Sequence, residues 1–478
     1  MQRLIAILIL LSFLLSACQP QQTAVPVSGE PEGALPTASS TASPAPQTST
    51  PQSPTDTPSP TVEPTAPPTE TATVTPEPAG LIRVDTLEQE VYPFVENGRC
   101  SLAEAIIAAN QKKQVDTCPP GGEASSIIAL MPGTYPLTQI DTTPPQADWA
   151  FSTTGTGNAL PAIVRTLTLR GNGAVLSRQD ASEPFRILEV LSGTFTLEDI
   201  TLQGGEVKPE DWGGAMLVQQ ASLVMDRVTV KDSIAENGGG VYFTYGALTV
   251  RNSTFTGNEA LFSGGGLYAA ETKAEITTSQ FHDNIADGWG AGAYIEDAFI
   301  TVSDCLFTGN RSSSRGGGIN LQVVEAAVLR SQFYNNYASI SGAGVSGRNY
   351  IYEDDIAEAE ADPLEKLFQS SESIVQMATD IPGFTETLVA HPSGTFLPRK
   401  LVIEVHDSCF TGNTDSQPPG ESAAAIAGLT SSENNYYGDP SGPGGMGNGS
   451  GDAVGGLVAF EPFLTEPPSY CDLSLAEK

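Results

Sequence analysis

Tyr242, Tyr268 and Tyr294 recur every 26 residues, each one position after an aliphatic-type residue (Val241, Leu267, Ala293). Successive side chains of a strand point to opposite faces, so an inward aliphatic residue sets its tyrosine outward. If the intervals stack, the rings form one aromatic strip on an exposed face. A strip of that kind suits sugar rings. It equally suits plain stacking between neighbouring strands, which stabilises by up to about 1 kcal/mol per pair. Trp289 and Trp212 lie just ahead of tyrosine positions and extend the strip. Asp283, Asp287 and Glu296 could approach one another on adjacent turns, or stand as solvated surface acids. The three histidines, His282, His391 and His406, show no metal-ligand spacing. No phosphate loop, G-x-S-x-G or nucleotide fingerprint is present. Neither a metal site nor a cofactor is expected, and no catalytic residue can be named.

The charge balance narrows the partners. The 478 residues carry 22 Lys+Arg against 56 Asp+Glu, a formal net charge of −34. A surface this negative argues against nucleic acid and against docking of the folded part on anionic lipid heads. It leaves calcium conceivable, with no ligand pattern to support it.

What must position the tyrosines is a repeat. Glycines recur at Gly214, Gly240, Gly266, Gly292, Gly318 and Gly344, each followed by an aliphatic-type residue from Ala215 to Val345. Phe255, Phe281, Phe307 and Phe333 form a second column, and Asn258, Asn284, Asn310 and Asn336 a third, with Asp232 in the same phase one repeat earlier. Each period alternates as strands do (Leu248-Thr249-Val250, Phe299-Ile300-Thr301-Val302) between Gly- and Asn-rich corners, and long runs of helix formers are missing. Each period therefore reads as one turn of a β-solenoid, with equivalent residues stacked about 4.8 Å apart. Phenylalanine fills the bore, asparagine ladders its amides along the axis and tolerates a left-handed corner, and glycine supplies corners that a Cβ would forbid.

These columns resemble the repeat of polymorphic outer-membrane proteins, Gly-Gly-aliphatic followed by Phe-x-x-Asn. Cys100-Ser101-Leu102-Ala103-Glu104-Ala105-Ile106 resembles the CSLREAI domain that heads many bacterial surface proteins, with Ala103 in place of the arginine. Asn435-Tyr436-Tyr437-Gly438-Asp439-Pro440 resembles the closing coil of many β-helices, with Tyr-Tyr where Trp-Trp is common. The resemblance implies an all-β fold, a right-handed parallel β-helix of the pectate-lyase-like kind. It says little of activity, because that scaffold hosts lyases, hydrolases, adhesins and inert stalks. Asn413-Thr414-Asp415 is similar to the first motif of β-helical polygalacturonases, but the rest of that motif set does not follow. β-Helical pectate lyases combine carboxylates holding calcium with a basic residue, and no column here stacks acids beside Arg or Lys.

An open solenoid end needs a cover. Ser101 with Glu104 is a capping box, and Leu102, Ala105, Ile106 and Ala109 form an apolar stripe, which predicts a capping helix over 101–111. Cys100 and Cys118 flank that helix and are candidates for a disulfide. Cys409 could reach Cys471 and tie down the C-terminal tail. Cys305 falls in the inward column Ser253, Ser279, Cys305, Ser331 and is expected as a buried free thiol.

The N-terminus reads as an address. Residues 4–15 are an apolar run too short to span a bilayer, and it ends in Leu15-Ser16-Ala17-Cys18. That tetrad resembles the bacterial lipoprotein box, which implies lipidation of Cys18. Residues 19–80 hold 15 Pro and 13 Thr and read as a disordered, semi-stiff stalk. The expected organisation is a signal peptide (1–17), the lipidated Cys18 with its stalk (18–80), a cap with first strands (81–160), the β-helix with 26-residue coils (161–465) and a tail (466–478). An insertion without repeat signature covers about 349–400 and opens acidic. The leading expectation is a lipid-anchored protein of the cell envelope, exposed outside the cytoplasm. Its partners would be the membrane, through the anchor, and a polysaccharide or another cell surface, bound without catalysis. The alternatives are a polysaccharide lyase or glycoside hydrolase, and a pure spacer.

Overall fold

The computed structural model describes residues 78–144, 156–179, 183–322, 324–348, 402–417, 426–427, 431–445, 449–455 and 460–475. They belong to one compact unit, Val74–Lys478. The signal run, Cys18, the stalk up to residue 77, the 349–400 insertion and His391 lie outside the described residues.

The unit is a coil of parallel strands. One turn runs through Val241–Arg251, Thr254–Thr256 and Glu259–Ser263. The next turn pairs with it in parallel: Val241 opposite Leu267, Phe255 opposite Phe281 and Glu259 opposite Ile285. Further turns continue that register, Leu267 opposite Ala293, Ala293 opposite Ile319 and Ile319 opposite Val345. After the insertion the register resumes without slip, Val328 opposite Val405 and Phe333 opposite Phe410.

Three columns hold the bore. Phe255, Phe281, Phe307, Phe333 and Phe410 are fully buried, and their rings stack face to face at 4.7–5.0 Å with planes within 6°. Tyr437 continues the stack at 5.7 Å. Beside it runs the amide ladder. The Asn258 N–H and Nδ2–H both donate to Asn284 Oδ1, and Asn284, Asn310 and Asn336 repeat the pattern onto Asn310, Asn336 and Asn413. The second Nδ2 proton of each caps a carbonyl of an earlier coil, as Asn310 does for Phe281 at 2.8 Å. A third column stacks hydroxyls: Ser253 N–H donates to Ser279 Oγ, and Ser331 N–H to Ser408 Oγ. Cys305 takes a serine's place there. It is a buried free thiol, and burial pushes it up to about 12, so it is unreactive at neutral pH.

Two details differ from the sequence reading. The coil that leads into Val241 is 25 residues long, because Val241 pairs with Met216, one place on from Ala215, and Phe255 with Val230. Ser233, not Asp232, donates its N–H into the ladder at Asn258. The register regains its extra residue between Ala260 and Ser263, where a bulge pushes Leu261 and Phe262 out to 43% and 46% exposure. The left-handed corners also sit elsewhere. The ladder asparagines are not left-handed. The residues just before them are: Asp232, Gly257, Asp283, Gly309, Asn335 and Gly412. Glycine alternates with Asp or Asn there for a steric reason: a Cβ on Gly309 would lie 2.5 Å from Asp283 Oδ1, and one on Gly412 2.2 Å from Asn335 Oδ1. The repeated glycines from Gly240 onward serve close approach, since a Cβ on Gly240 would meet Gly266 O at 2.4 Å.

Both ends are tied. The N-terminal helix spans Leu102–Gln111, with Ser101 and Glu104 in a reciprocal capping box. It is buried on nearly every side, Ala103, Ile107 and Ala108 included, and not on one stripe alone. Cys100 and Cys118 are joined across it. Cys409 and Cys471 are joined as well, and the tail adds Asp472 N–H to Gln332 Oε1 at 2.9 Å and Asn335 Nδ2–H to Leu475 O at 3.3 Å. Among the described residues no helix is long and apolar enough to cross a membrane.

Asn310→Ala would strip bonds from two N–H donors of Asn284, from Phe281 O and, for its side-chain donor only, from Asn336 Oδ1. At about 1–3 kcal/mol per buried group left unmade, only partly additive, the loss in urea unfolding should be about 3–5 kcal/mol. The exposed Glu275→Ala should stay within about 0.5 kcal/mol.

Candidate functional site

The tyrosine column forms, and it differs from an open strip. Tyr242 pairs in register with Tyr268, and Tyr268 with Tyr294. Trp212 stacks on Tyr242 at 5.1 Å and Tyr242 on Tyr268 at 4.6 Å, with planes within 16°. Tyr268 and Tyr294 follow at 5.2 Å, tilted by 34°. Trp289 lies 6.3 Å from Tyr294, and Phe262 stands edge-on to Trp289 at 5.0 Å. Parallel coils turn the ring faces toward each other along the solenoid axis. What the column offers outward is ring edges and hydroxyls, with free faces only at its ends. Tyr294 is buried at 3% exposure, and Tyr242 and Tyr268 are half-buried. The expectation of an exposed flat platform is therefore corrected. Stacked faces are spent on neighbouring rings, and the accessible apolar surface lies with Phe262 and Trp289 beside the bulge.

The hydroxyls lead to an acidic corner. Tyr268 hydrogen-bonds Glu296, and the Tyr294 hydroxyl lies 2.8 Å from Glu296 Oε2 and 3.0 Å from Gln322 Oε1. Burial first, and the Glu296 charge second, push all three stacked phenols well above the usual tyrosine range. Tyr245 is pushed up to about 12, chiefly by its hydrogen bond to Glu271. Asp297 is held up at about 6, first by burial and then by the charges of Glu296 and Glu271. One carboxylate oxygen of Glu271 is enclosed with no hydrogen-bond partner. These phenols stay neutral donors at any ordinary pH, and Asp297 nearby takes up a proton more readily than a free carboxylate.

Tyr245, Glu271 and Asp297 were absent from the sequence candidates. Their signal was the same 26-residue step, and they share a left-handed backbone at φ +59°, +51° and +46°. The acids that sequence reasoning did select are dispersed. Asp283 is exposed and pairs with His282 Nδ1 at 3.3 Å, and Asp287 is exposed. Glu296 alone of the three belongs to the tyrosine corner. His406 lies 3.3 Å from Glu433 O. Among the described residues, no three His, Cys, Asp or Glu side chains are placed to hold a metal ion together. A groove of about 530 Å³ elsewhere on the coil is lined by Lys273, Phe299, Thr301, Glu325, Ala327 and Glu404. The chain re-enters there at Val402 after the insertion.

Comparison with known proteins bears on the fold. Residues 190–356 match the family described as the right handed beta helix region, which makes the coil a right-handed parallel β-helix. No curated protein matches the chain. Among solved structures, the crystal structure of pectate lyase Pel9A is similar at 12% identity, over 80% of this chain and 79% of that one, with a TM-score of 0.27.

The raised Asp297 gives a signed pH dependence. Folding favours its neutral form, so that contribution is fully present below about pH 4 and is lost as pH rises through about 6. After allowance for its partial exposure, Asp297→Asn should flatten about 1–2 kcal/mol of the fall in stability between pH 4 and 7.5. Urea titrations at several pH values check this. An unchanged slope would place the dependence elsewhere.

Proposed function

We propose that this chain is a lipid-anchored β-helix of the cell envelope, presented outside the cytoplasm on its stalk, that binds extracellular polysaccharide or another cell surface without catalysis. Cys18 and the stalk supply the anchor and the reach, and the membrane is a partner through the lipid alone. The acidic charge disfavours nucleic acid. One observation carries the binding reading. Phenols of Tyr268 and Tyr294 meet Glu296 and Gln322 on the outside of a rigid stack, beside the exposed Phe262 ring. Neutral donors and carboxylate acceptors at a coil spacing of about 4.8 Å match sugar hydroxyls, and the ring edges and Phe262 supply apolar contact.

Because these rings are half-buried or buried, alanine would open cavities and confuse binding with stability. Phenylalanine keeps the stack and deletes the hydroxyls. The triple variant Tyr242→Phe, Tyr268→Phe, Tyr294→Phe should lose at least about ten-fold in affinity for a polysaccharide the wild type retains on a glycan array. Its thermal midpoint should move by only a few degrees. Undiminished binding with an intact fold would remove the corner from recognition.

A specific observation favours a second reading. A carboxyl held up at about 6 beside further carboxyl groups is the pairing used for general acid catalysis in glycoside hydrolysis. Asp297 would then donate a proton to the leaving oxygen, with Glu271 or Glu296 as the second carboxyl group. Incubation with a polysaccharide panel should release no new reducing ends and no unsaturated products under the binding reading. Release that is abolished in Asp297→Asn would establish hydrolysis instead.

A further inference from the structure

The C-terminal tail runs backward across the coils it follows. At the closing coil, Asn434 N–H donates to Pro462 O and Leu464 N–H to Asn435 O. One coil earlier the Tyr470 hydroxyl donates to Asp407 O, and Cys471 is joined to Cys409. One coil earlier again, Asp472 N–H donates to Gln332 Oε1 at 2.9 Å and Asn335 Nδ2–H to Leu475 O at 3.3 Å. Gln332 pairs with Cys409 and Cys409 with Tyr436, so the tail crosses successive coils.

The outer wall is different where the tail crosses it. In the strand Gln332–Tyr334 the Phe333 ring fills the bore, so Tyr334 points outward. Its counterparts in the same outward column, Thr256, His282, Thr308 and Thr411, are half-buried. Tyr334 is larger than any of the threonines, yet it is 0% exposed. Its hydroxyl donates at 2.9 Å to Gln332 Oε1, the same oxygen that accepts the Asp472 amide. Cys409 follows the same rule. It is fully buried, whereas Gln280 in its outward column is exposed.

We propose that residues 464–475 are a redox-fastened strap. The Cys409–Cys471 disulfide holds the tail over Tyr334, and its reduction releases the tail and uncovers that face while the solenoid stays folded.

The balance of forces favours a covalent fastening. The hydrogen bonds that hold the strap beyond Leu464 lie at or near the surface, where water competes for each of them. Bonds of that kind do not offset the entropy of ordering the tail, so the disulfide decides whether it stays down. The link is also placed to be reached. Cys471 is half-buried between the exposed Tyr470 and Asp472, whereas Cys100 and Cys118 are both buried in the N-terminal cap. The thiolate of a small thiol attacks Cys471 Sγ, forms a mixed disulfide there and expels the Cys409 thiolate. A second thiolate attacks the incoming sulfur and frees Cys471. Two thiols are thus oxidised to one disulfide, and the two cysteines take up the protons those thiols lost. Oxidising surroundings keep the strap closed, and thiol-rich ones open it.

Titration of the full chain with dithiothreitol, without denaturant, tests this. Alkylation with peptide mapping should show Cys409 and Cys471 freed while Cys100 and Cys118 stay joined. Tetranitromethane should then nitrate Tyr334 at least about ten-fold faster than in the oxidised chain. Tyr437, enclosed at the end of the phenylalanine stack, is the internal control and should stay unreactive. Cys471→Ser should show the fast nitration without reductant and no further response to it. The proposal is overturned if Cys409 and Cys471 resist the reductant, if the Cys100–Cys118 link is reduced first, or if Tyr334 stays protected once the C-terminal pair is free. It is overturned equally if Tyr437 becomes reactive together with Tyr334, because the coil itself would then be unfolding. Should Cys471→Ser not fold, the wild-type titration decides alone.

Discussion

Everything in this molecule follows from one constraint: each coil must lie in register on the coil before it, about 4.8 Å away. At that spacing a side chain's chief neighbour is its own counterpart one turn earlier. Like must therefore tolerate like. Phenylalanine does so by stacking parallel rings in the bore, where each is fully buried and its burial adds to the ring contact. Asparagine does so because an amide is both donor and acceptor, so a column of amides satisfies itself. A column of buried carboxylates or ammonium groups could not, and among the described residues none forms in the bore. The same logic explains how the chain leaves for 349–401 and returns without register loss. Val328 meets Val405 and Phe333 meets Phe410 because only that register restores both columns at once.

This constraint also decides what the sequence made legible. The columns at Phe255, Asn258 and Tyr242 were plain because equal residues at equal intervals survive any ignorance of geometry. The capping helix was plain because its box is local. Three things were hidden. The 25-residue coil before Val241 and the bulge at Leu261–Phe262 cancel in the glycine spacing, so the count looked uniform although the register was not. The left-handed corners were assigned one place late, because the ladder asparagines advertise a tolerance they do not use; the steric demand falls on the alternation of Gly309 with Asp283. Tyr245, Glu271 and Asp297 were missed because they are three different residue types. Their shared property is a backbone conformation, and pattern reading by identity cannot see it.

The outer corner shows how the same stacking changes chemistry outside the bore. A tyrosine that stacks on tyrosines has no face left for a ligand, so the function of the column moves to its hydroxyls and its ends. Those hydroxyls sit against Glu296, and the Glu271 and Asp297 carboxyls crowd the next corner. Stacking thus fixes the phenols as neutral donors beside carboxyl groups, with the Arg348 charge also bearing on Tyr294. Under the proposed binding reading, ligands with many hydroxyls and no negative charge suit this corner, and uronate-rich chains would add repulsion to its acids.

The raised carboxyl at the corner belongs with the overall charge. A chain with 34 more acids than bases gains by neutralising some of them on folding. Asp297 stands at an exposed corner, yet desolvation of its carboxyl and the charges of Glu296 and Glu271 push it up to about 6. It takes up a proton as the chain folds, so mild acid stabilises this corner, and protonation changes what the face can donate. The ladder ends differently. Its N–H groups point toward the C-terminus, and Asn413 gives the last of them to Asp452, so a carboxyl stands where the next amide would. A column of identical rungs needs a different acceptor only where the repetition stops.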